Sequence, residues 1–303
     1  MIKVVVAGCN GLLGRKLIDY APTGYNIIGV DLPESCPALA AVNYFSQDLT
    51  DKKSVFRLLQ EVKPDYIINA AAYTNVDGAE TDRELCWRLN VELPEHLIYC
   101  ARKLNFNIGH ISTDYIFDGK QGPYTETARP NPLGYYGRSK LAAENLFAAS
   151  AIDYFIVRTM VLYGERNNGK HNFVTWLIDQ LENDKHVKIV NDQIGNTTLV
   201  DELAIGIWKL IALKFNGVVN IAGTEIINRF EFAQTIAQVF NLDTSLIQPI
   251  TTAELHQAAP RPLKSGLIVD KAINELNIEL SNVSGGLNKF KYMYKGKTSP
   301  EYQ

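Results

Sequence analysis

Cysteine is scarce: Cys9, Cys36, Cys86 and Cys100 are the four in 303 residues, and no two form a Cys-x-x-Cys pair. That spacing excludes a disulfide scaffold and a thiolate zinc ribbon, and it suits a reducing compartment, so a cytoplasmic location is expected. The histidines (His96, His110, His171, His186 and His256) include no pair at the three- or four-residue spacing of a helical metal site, and no metal is expected. A large charge of one sign is also missing. With 30 Lys+Arg against 33 Asp+Glu the net charge is −3, which supplies no basic field for nucleic acid or an anionic membrane surface. No apolar run approaches the ~18–20 residues of a membrane span. Strand-like residues begin at Ile2, with no basic, apolar and cleavage-site order of the leader type ahead of them. Internal repeats and low-complexity tracts are absent.

What is present is an ordinary globular composition, 46% apolar and 21% charged, at a length that suggests about two domains. The first 160 residues alternate short β-rich runs with segments of helical period. Strands are predicted at Lys3–Ala7, Asn26–Val30, Tyr66–Asn69, Asn107–Ile111 and Tyr154–Arg158. Helices are predicted at Leu12–Tyr20, Lys53–Val62, Arg83–Lys103 and Tyr136–Ala149. Such alternation predicts a doubly wound parallel sheet. Beyond residue 160 the pattern loosens into helices Asn172–Asn183, Glu202–Lys214 and Arg229–Phe240, with strands Val187–Val190 and Gly217–Ile221. Pro249, Pro260 and Pro262 then punctuate a loop-rich section, and the lysine-rich tail Lys289–Lys297 reads as a solvated end. Glu202–Ile221 is expected to return to the sheet. The expected division is therefore interleaved: 1–160 and about 186–223 in the sheet-bearing unit, about 161–185 and 224–303 in a smaller, discontinuous α/β cap that binds substrate.

Three groups of residues carry chemistry. Gly8-Cys9-Asn10-Gly11-Leu12-Leu13-Gly14 falls between the first strand and the first helix. Glycines three apart let the chain turn tightly and bring its backbone near a pyrophosphate, which the helix N-terminus also favours. Asp31 ends the second strand 23 residues after Gly8, where a carboxylate can accept from adenosine ribose hydroxyls. Together these predict a dinucleotide-binding Rossmann unit. Asp31 leans toward NADH by repelling a 2′-phosphate, while Arg15 softens that repulsion, so NADPH or NADH stays open. The second group is Tyr136-Gly137-Arg138-Ser139-Lys140, in which the four-residue spacing sets Lys140 and Tyr136 on one helix face, whereas Tyr135 is rotated away. An ammonium there favours the phenolate and makes tyrosine a usable acid and base near neutral pH. Tyr-x-x-x-Lys alone is common by chance; with the glycine turn upstream it gains weight. In the third group, Ser112-Thr113-Asp114-Tyr115 follows a strand at the carboxyl edge, where ligands of open α/β sheets sit, and Thr113 can donate to a substrate carbonyl. Asn69-Ala70-Ala71-Ala72-Tyr73-Thr74 ends another strand with side chains small enough for a cofactor to approach the backbone.

Taken together, these groups resemble the extended short-chain dehydrogenase/reductase superfamily over nearly the whole chain. Asn69–Asp77, Ser112–Gly119, Arg158–Gly164, Gln193–Thr198 and Arg261–Asp270 resemble the dTDP-4-dehydrorhamnose reductase family within it. The resemblance implies NAD(P)H-dependent reduction of the C4 ketone of a nucleotide-linked 6-deoxy-4-keto sugar, dTDP-4-dehydrorhamnose to dTDP-L-rhamnose, by a homodimer. It makes Tyr136 the proton donor, Lys140 its ribose-binding partner, Thr113 the carbonyl hydrogen-bonder and Asn90 the support of the lysine. Gly8, Asn10, Gly11, Leu12, Leu13, Gly14, Asp31, Asp48, Leu49, Ala70, Ala71, Ala72 and Thr74 would hold the cofactor. Thr74, Val76, Asp114 and Tyr115 would line the sugar pocket, and Arg261 would meet the diphosphate, whose oxygens suit a guanidinium fork. One departure concerns the sugar: Val161 stands where these reductases usually carry tryptophan. The Val161-Leu162-Tyr163-Gly164 version and Phe230–Ile250 also resemble the methionine adenosyltransferase beta subunit, a regulatory relative. A non-catalytic dinucleotide-binding subunit, or a reductase or epimerase of another sugar nucleotide, therefore remains an alternative.

Overall fold

The computed structural model describes residues 1–32, 43–165 and 171–294. Cys36 and residues 295–297 of the lysine-rich tail lie outside them. The chain opens with β1 (Ile2–Ala7), α1 (Leu12–Asp19), β2 (Tyr25–Asp31) and β3 (Asn43–Ser46). Then come α2 (Lys52–Val62), β4 (Tyr66–Asn69), α3 (Arg83–Trp87), α4 (Leu93–Leu104), β5 (Asn107–Thr113), α5 (Tyr135–Ala148) and β6 (Tyr154–Thr159). The second half holds β7 (Leu162–Tyr163), α6 (Phe173–Glu182), β8 (Val187–Val190), β9 (Ile194–Gly195), β10 (Thr198–Leu199), α7 (Val200–Ala212) and β11 (Gly217–Asn220). It ends with β12 (Ile227–Asn228), α8 (Arg229–Phe240), β13 (Ile247–Ile250), α9 (Thr252–Leu255) and α10 (Val283–Tyr294).

Seven parallel strands form one sheet in the order β11-β6-β5-β4-β1-β2-β3. Both faces of its centre are covered, and this is why β1 reads as an unbroken apolar run rather than an alternating one. Val4 and Val6 pack under α1 and α7 with Leu17, Leu203 and Trp208, while Val5 and Ala7 face α2 and α4 through Leu59, Leu97 and Ile98. Strand order reverses at β1, which lies between β2 and β4. A crevice therefore opens at the carboxyl ends of β1 and β4, the place where doubly wound sheets bind ligands.

Above that edge, three two-stranded ladders (β7–β10, β9–β12 and β8–β13) and helices α6, α8 and α10 share a separate core around Tyr163, Leu177, Phe232 and Phe290. Three expectations change here. Val187–Val190, expected with the sheet-bearing segment, pairs in parallel with Ile247–Ile250 in this outer layer. The expected single helix Arg83–Lys103 is two α-helices joined by a π turn at Arg88–Glu92. And the tail expected to be solvated is helical as far as Tyr294: Phe290 is fully buried, Lys289 pairs with Glu202, and Lys291 Nζ donates to Val239 O.

Candidate active site

The glycine turn is built by close contact. At Gly14 an added Cβ would lie 2.2 Å from Gly8 O and 2.6 Å from Cys9 Cα, so the first turn of α1 rests directly on the loop backbone. Asp31 latches this turn: one carboxylate oxygen accepts from Asn10 N and the other from Leu32 N, both at 2.8 Å. The N-cap of α1 is Gly11, which has no side chain to cap the helix, and the first turn holds no acid. Backbone N–H donors at the positive end of a helix suit a pyrophosphate. Leu12 and Leu13 supply the apolar side of that turn, packed in the core beneath it. Across the crevice, Ala70 N donates to Ala7 O, and Ala71 abuts Gly8. Ala72 is half-buried and Thr74 exposed on the loop that follows β4. Leu49 is buried, and Asp48 folds its carboxylate onto Thr50, accepting from its N–H and hydroxyl at 2.8 Å each.

The second group meets the third because α5 starts flush against the chain after β5. A Cβ on Gly137 would lie 2.1 Å from Tyr115 O, a contact that only glycine permits, and the Tyr115 and Tyr136 rings meet edge-on with centroids 5.7 Å apart. Burial, then the neighbouring Asp114 carboxyl, pushes the Tyr136 phenol well up, partly offset by a hydrogen bond with Thr113. Desolvation dominates and keeps the phenol neutral, the form that can give up a proton. Lys140, nearly fully buried, is lowered by that burial to about 8. Its ammonium donates to Ile111 O at 2.6 Å and sits 3.3 Å from His110 Nε2.

His110 was missed in the sequence, where it reads as one more inward residue of a strand. Its Nδ1 lies 3.2 Å from the Asn69 amide nitrogen, while Asn69 Oδ1 is buried with no partner. A neutral imidazole accepts at one nitrogen only, and burial beside Lys140 keeps this one neutral. The arrangement that satisfies all three groups turns the Asn69 amide over, so that its oxygen accepts from Nδ1–H and Nε2 accepts from Lys140. Asn90, expected to support the lysine, instead lies in the π turn and reaches α5 through Ser139. Its amide nitrogen donates to Ser139 Oγ at 3.0 Å and to Tyr73 O, and its oxygen accepts from Tyr73 N. Ser139 in turn donates to Tyr136 O at 2.7 Å. One turn beyond Lys140, Glu144 forms a buried two-pronged ion pair with Arg158 of β6, at 3.1 and 2.7 Å, and accepts from Ser112 Oγ.

Beside Asp114 and Tyr115 lies a cavity of about 200 Å³, lined also by Val161, Gln193, Asn196 and Arg229, among others, with Tyr136 not among its lining residues. Asp114 is buried, accepts from Ser265 Oγ at 2.8 Å, and is raised by desolvation. Val161 holds φ +46°, a left-handed conformation costly for a β-branched residue. Thr198 pins this turn: its N–H donates to Val161 O and its hydroxyl to Met160 O. Thr74 and Val76 are not among the lining residues. Nor is Arg261, whose guanidinium is engaged by Asp77 Oδ2 at 2.7 Å and Ala259 O at 2.9 Å and lies over the Tyr115 ring. Arg229 was also missed, since the first residue of an amphipathic helix reads as a surface charge. Among the described residues no cluster could hold a metal ion, and no helix is long and apolar enough to cross a membrane.

Comparison with known proteins gives one pattern. Residues 2–294 match the family described as RmlD substrate binding domain. The dTDP-4-dehydrorhamnose reductase of Aggregatibacter actinomycetemcomitans is 31% identical, over 93% of this chain and 96% of that protein. Methionine adenosyltransferase 2 subunit beta of Xenopus laevis is 30% identical, over 86% and 78%. Among solved structures, dTDP-4-dehydrorhamnose reductase from Bacillus anthracis in complex with NADP superposes with a TM-score of 0.84 at 31% identity, covering 97% of this chain and 100% of that one.

Proposed function

The chain belongs to the RmlD substrate-binding domain family, and on that premise we propose that it is an NAD(P)H-dependent oxidoreductase that reduces the C4 ketone of a nucleotide-linked 6-deoxy-4-keto sugar, with dTDP-4-dehydrorhamnose as substrate and dTDP-L-rhamnose as product. The observation that carries this reading is the gathering of Thr113, Tyr136 and Lys140 at the carboxyl edge of the sheet, where the adjoining Asp114 and Tyr115 line a cavity of about 200 Å³. The donor set fits a nicotinamide dinucleotide: α1 and the glycine turn for the pyrophosphate, Asp31 for the adenosine ribose, Asp48 and Leu49 near the adenine, Ala70–Ala72 as a low wall and Lys140 for the second ribose. When bound, that cofactor supplies hydride to C4.

The chain's own residues supply position and a proton. Thr113 Oγ1 is held by Tyr115 N and Asp114, which aims it at the site beside Tyr136. Tyr136, kept neutral by burial, gives its proton to the carbonyl oxygen as negative charge develops there. Lys140, fixed by Ile111 O and His110, offers positive charge on the same face of α5 to the phenolate left behind. Asp114 and Tyr115 shape the sugar pocket, and Val161 joins its lining in place of an aromatic ring.

A coupled assay with dTDP-4-dehydrorhamnose and NADH or NADPH tests the reading. Stoichiometric oxidation of the cofactor is expected, with turnover reduced about 10²–10⁴-fold in Tyr136→Phe while cofactor affinity is kept. An unreduced substrate would remove the specific assignment, and full turnover in Tyr136→Phe would remove the mechanism. The regulatory alternative, favoured by the likeness to the methionine adenosyltransferase subunit, calls for co-purification with a partner enzyme and no turnover. The retained Thr113, Tyr136 and Lys140 count against it.

A further inference from the structure

Two guanidinium groups flank Tyr115, and their circumstances differ. Arg261 is already engaged. Its side chain is 7% exposed, ion-paired with Asp77 at 2.7 Å and hydrogen-bonded to Ala259 O, so its charge is largely cancelled before any ligand arrives. Arg229 begins α8 and lines the cavity with Gln193, Asn228 and Phe232. Its guanidinium lies over the Phe173 ring at 5.7 Å, and among the described residues no carboxylate pairs with it. Asp114, itself bonded to Ser265, and the Tyr115 phenol lie within electrostatic reach, but neither forms an ion pair with the guanidinium. A half-buried guanidinium with no ion-paired carboxylate is costly to keep unless a ligand completes it. Its position at the first residue of α8 adds the positive end of that helix to the same corner of the cavity.

We infer that Arg229 is the residue that grips the phosphates of a nucleoside diphosphate, with the Asp77–Arg261 pair serving as a preassembled wall beside it; this rests on the nucleotide-sugar reading above. In a pyranose the phosphate-bearing C1 is the corner opposite C4, and here Tyr115, whose ring meets that of the proton donor Tyr136 at 5.7 Å, lines the same cavity as Arg229. A guanidinium fork suits phosphate oxygens better than a point charge does.

Calorimetric titration of the full chain with dTDP, UDP, inorganic pyrophosphate and thymidine tests this. Arg229→Gln should weaken dTDP by roughly 10- to 100-fold, the range of a charged hydrogen-bonded contact, and leave thymidine and NADPH affinities unchanged. NADPH binding reports that the variant is folded. Should it be lost, Arg229→Lys carries the test, with dTDP weakened several-fold and thymidine unaffected. The inference is overturned if no phosphate-bearing probe depends on Arg229, which includes the case in which the wild type binds none of them. If diphosphate binding depends on Arg229 but the protein reduces no keto-sugar nucleotide, the inference stands and the proposed activity fails.

Discussion

The Glu144–Arg158 pair fixes how α5, and with it Tyr136 and Lys140, sits on the sheet. Both side chains are 6% exposed, and Arg158 spends three N–H groups on Glu144 and on Glu126 O. Replacing Glu144 by Met keeps the volume and removes the counter-charge. Arg158 is then left buried with only the Glu126 carbonyl and the Phe117 ring, whose centroid is 5.5 Å from its Cζ. Breaking a buried pair from one side costs about 3–5 kcal/mol. At roughly 2 °C per kcal/mol for a chain of this length, the melting midpoint should fall by about 6–10 °C. Removing both charges, as Glu144→Met/Arg158→Met, leaves no unpaired charge, only the Ser112 hydroxyl and the Glu126 carbonyl without these partners, and should cost less than Glu144→Met alone. Thermal unfolding of the four proteins at one scan rate measures this. A fall of less than about 2 °C in the single variant, or a double variant whose loss equals the sum of the two singles, would refute the idea that the pair is held by mutual neutralisation in a dry setting.

Two further outcomes follow from the site. Burial holds Lys140 at about 8 instead of 10.5, so the folded protein releases this proton before the unfolded chain does. The resulting cost, about 3 kcal/mol, is fully present below pH 8 and relieved as the pH rises toward 10.5. The melting midpoint of the wild type relative to Lys140→Met should therefore climb between pH 7 and pH 10, and a pH-independent difference would contradict the assignment. In Gly14→Ala the new methyl meets only backbone atoms, which cannot swing aside, so NADPH affinity measured by fluorescence titration should drop at least about tenfold. Unaltered binding would show that the glycine turn does not carry the cofactor.

Much of this fold was legible because its inner strands are buried on both faces and its helices keep a clear period. Asn43–Ser46 escaped notice as an edge strand, too short and too exposed to leave an apolar signature. Val283–Tyr294 was read as loop and tail because Ser284-Gly285-Gly286 looks like a linker. In the structure Gly286 is needed where α10 crosses Tyr163, whose hydroxyl lies 2.3 Å from the position of a Cβ. At the site, spacing identified Tyr136, Lys140 and Thr113, since those residues depend on local geometry. Partnerships across the fold left no such trace: His110 with Lys140, Glu144 with Arg158, and Asp77 with Arg261 are separated by 30, 14 and 184 residues.

The outer layer is not one continuous stretch of chain. It is left for the sheet at α7, resumed after β11, left again where Lys271 bonds Val218 O, and resumed in α10, so its core joins Tyr163 and Leu177, then Phe232, then Phe290 from three separate passages. Substrate preference in such a protein cannot be transplanted by exchanging a single gene segment. Any one piece carried into a relative would arrive with its apolar face unmatched, and a working chimaera would need all the passages exchanged together, with junctions at the same crossings.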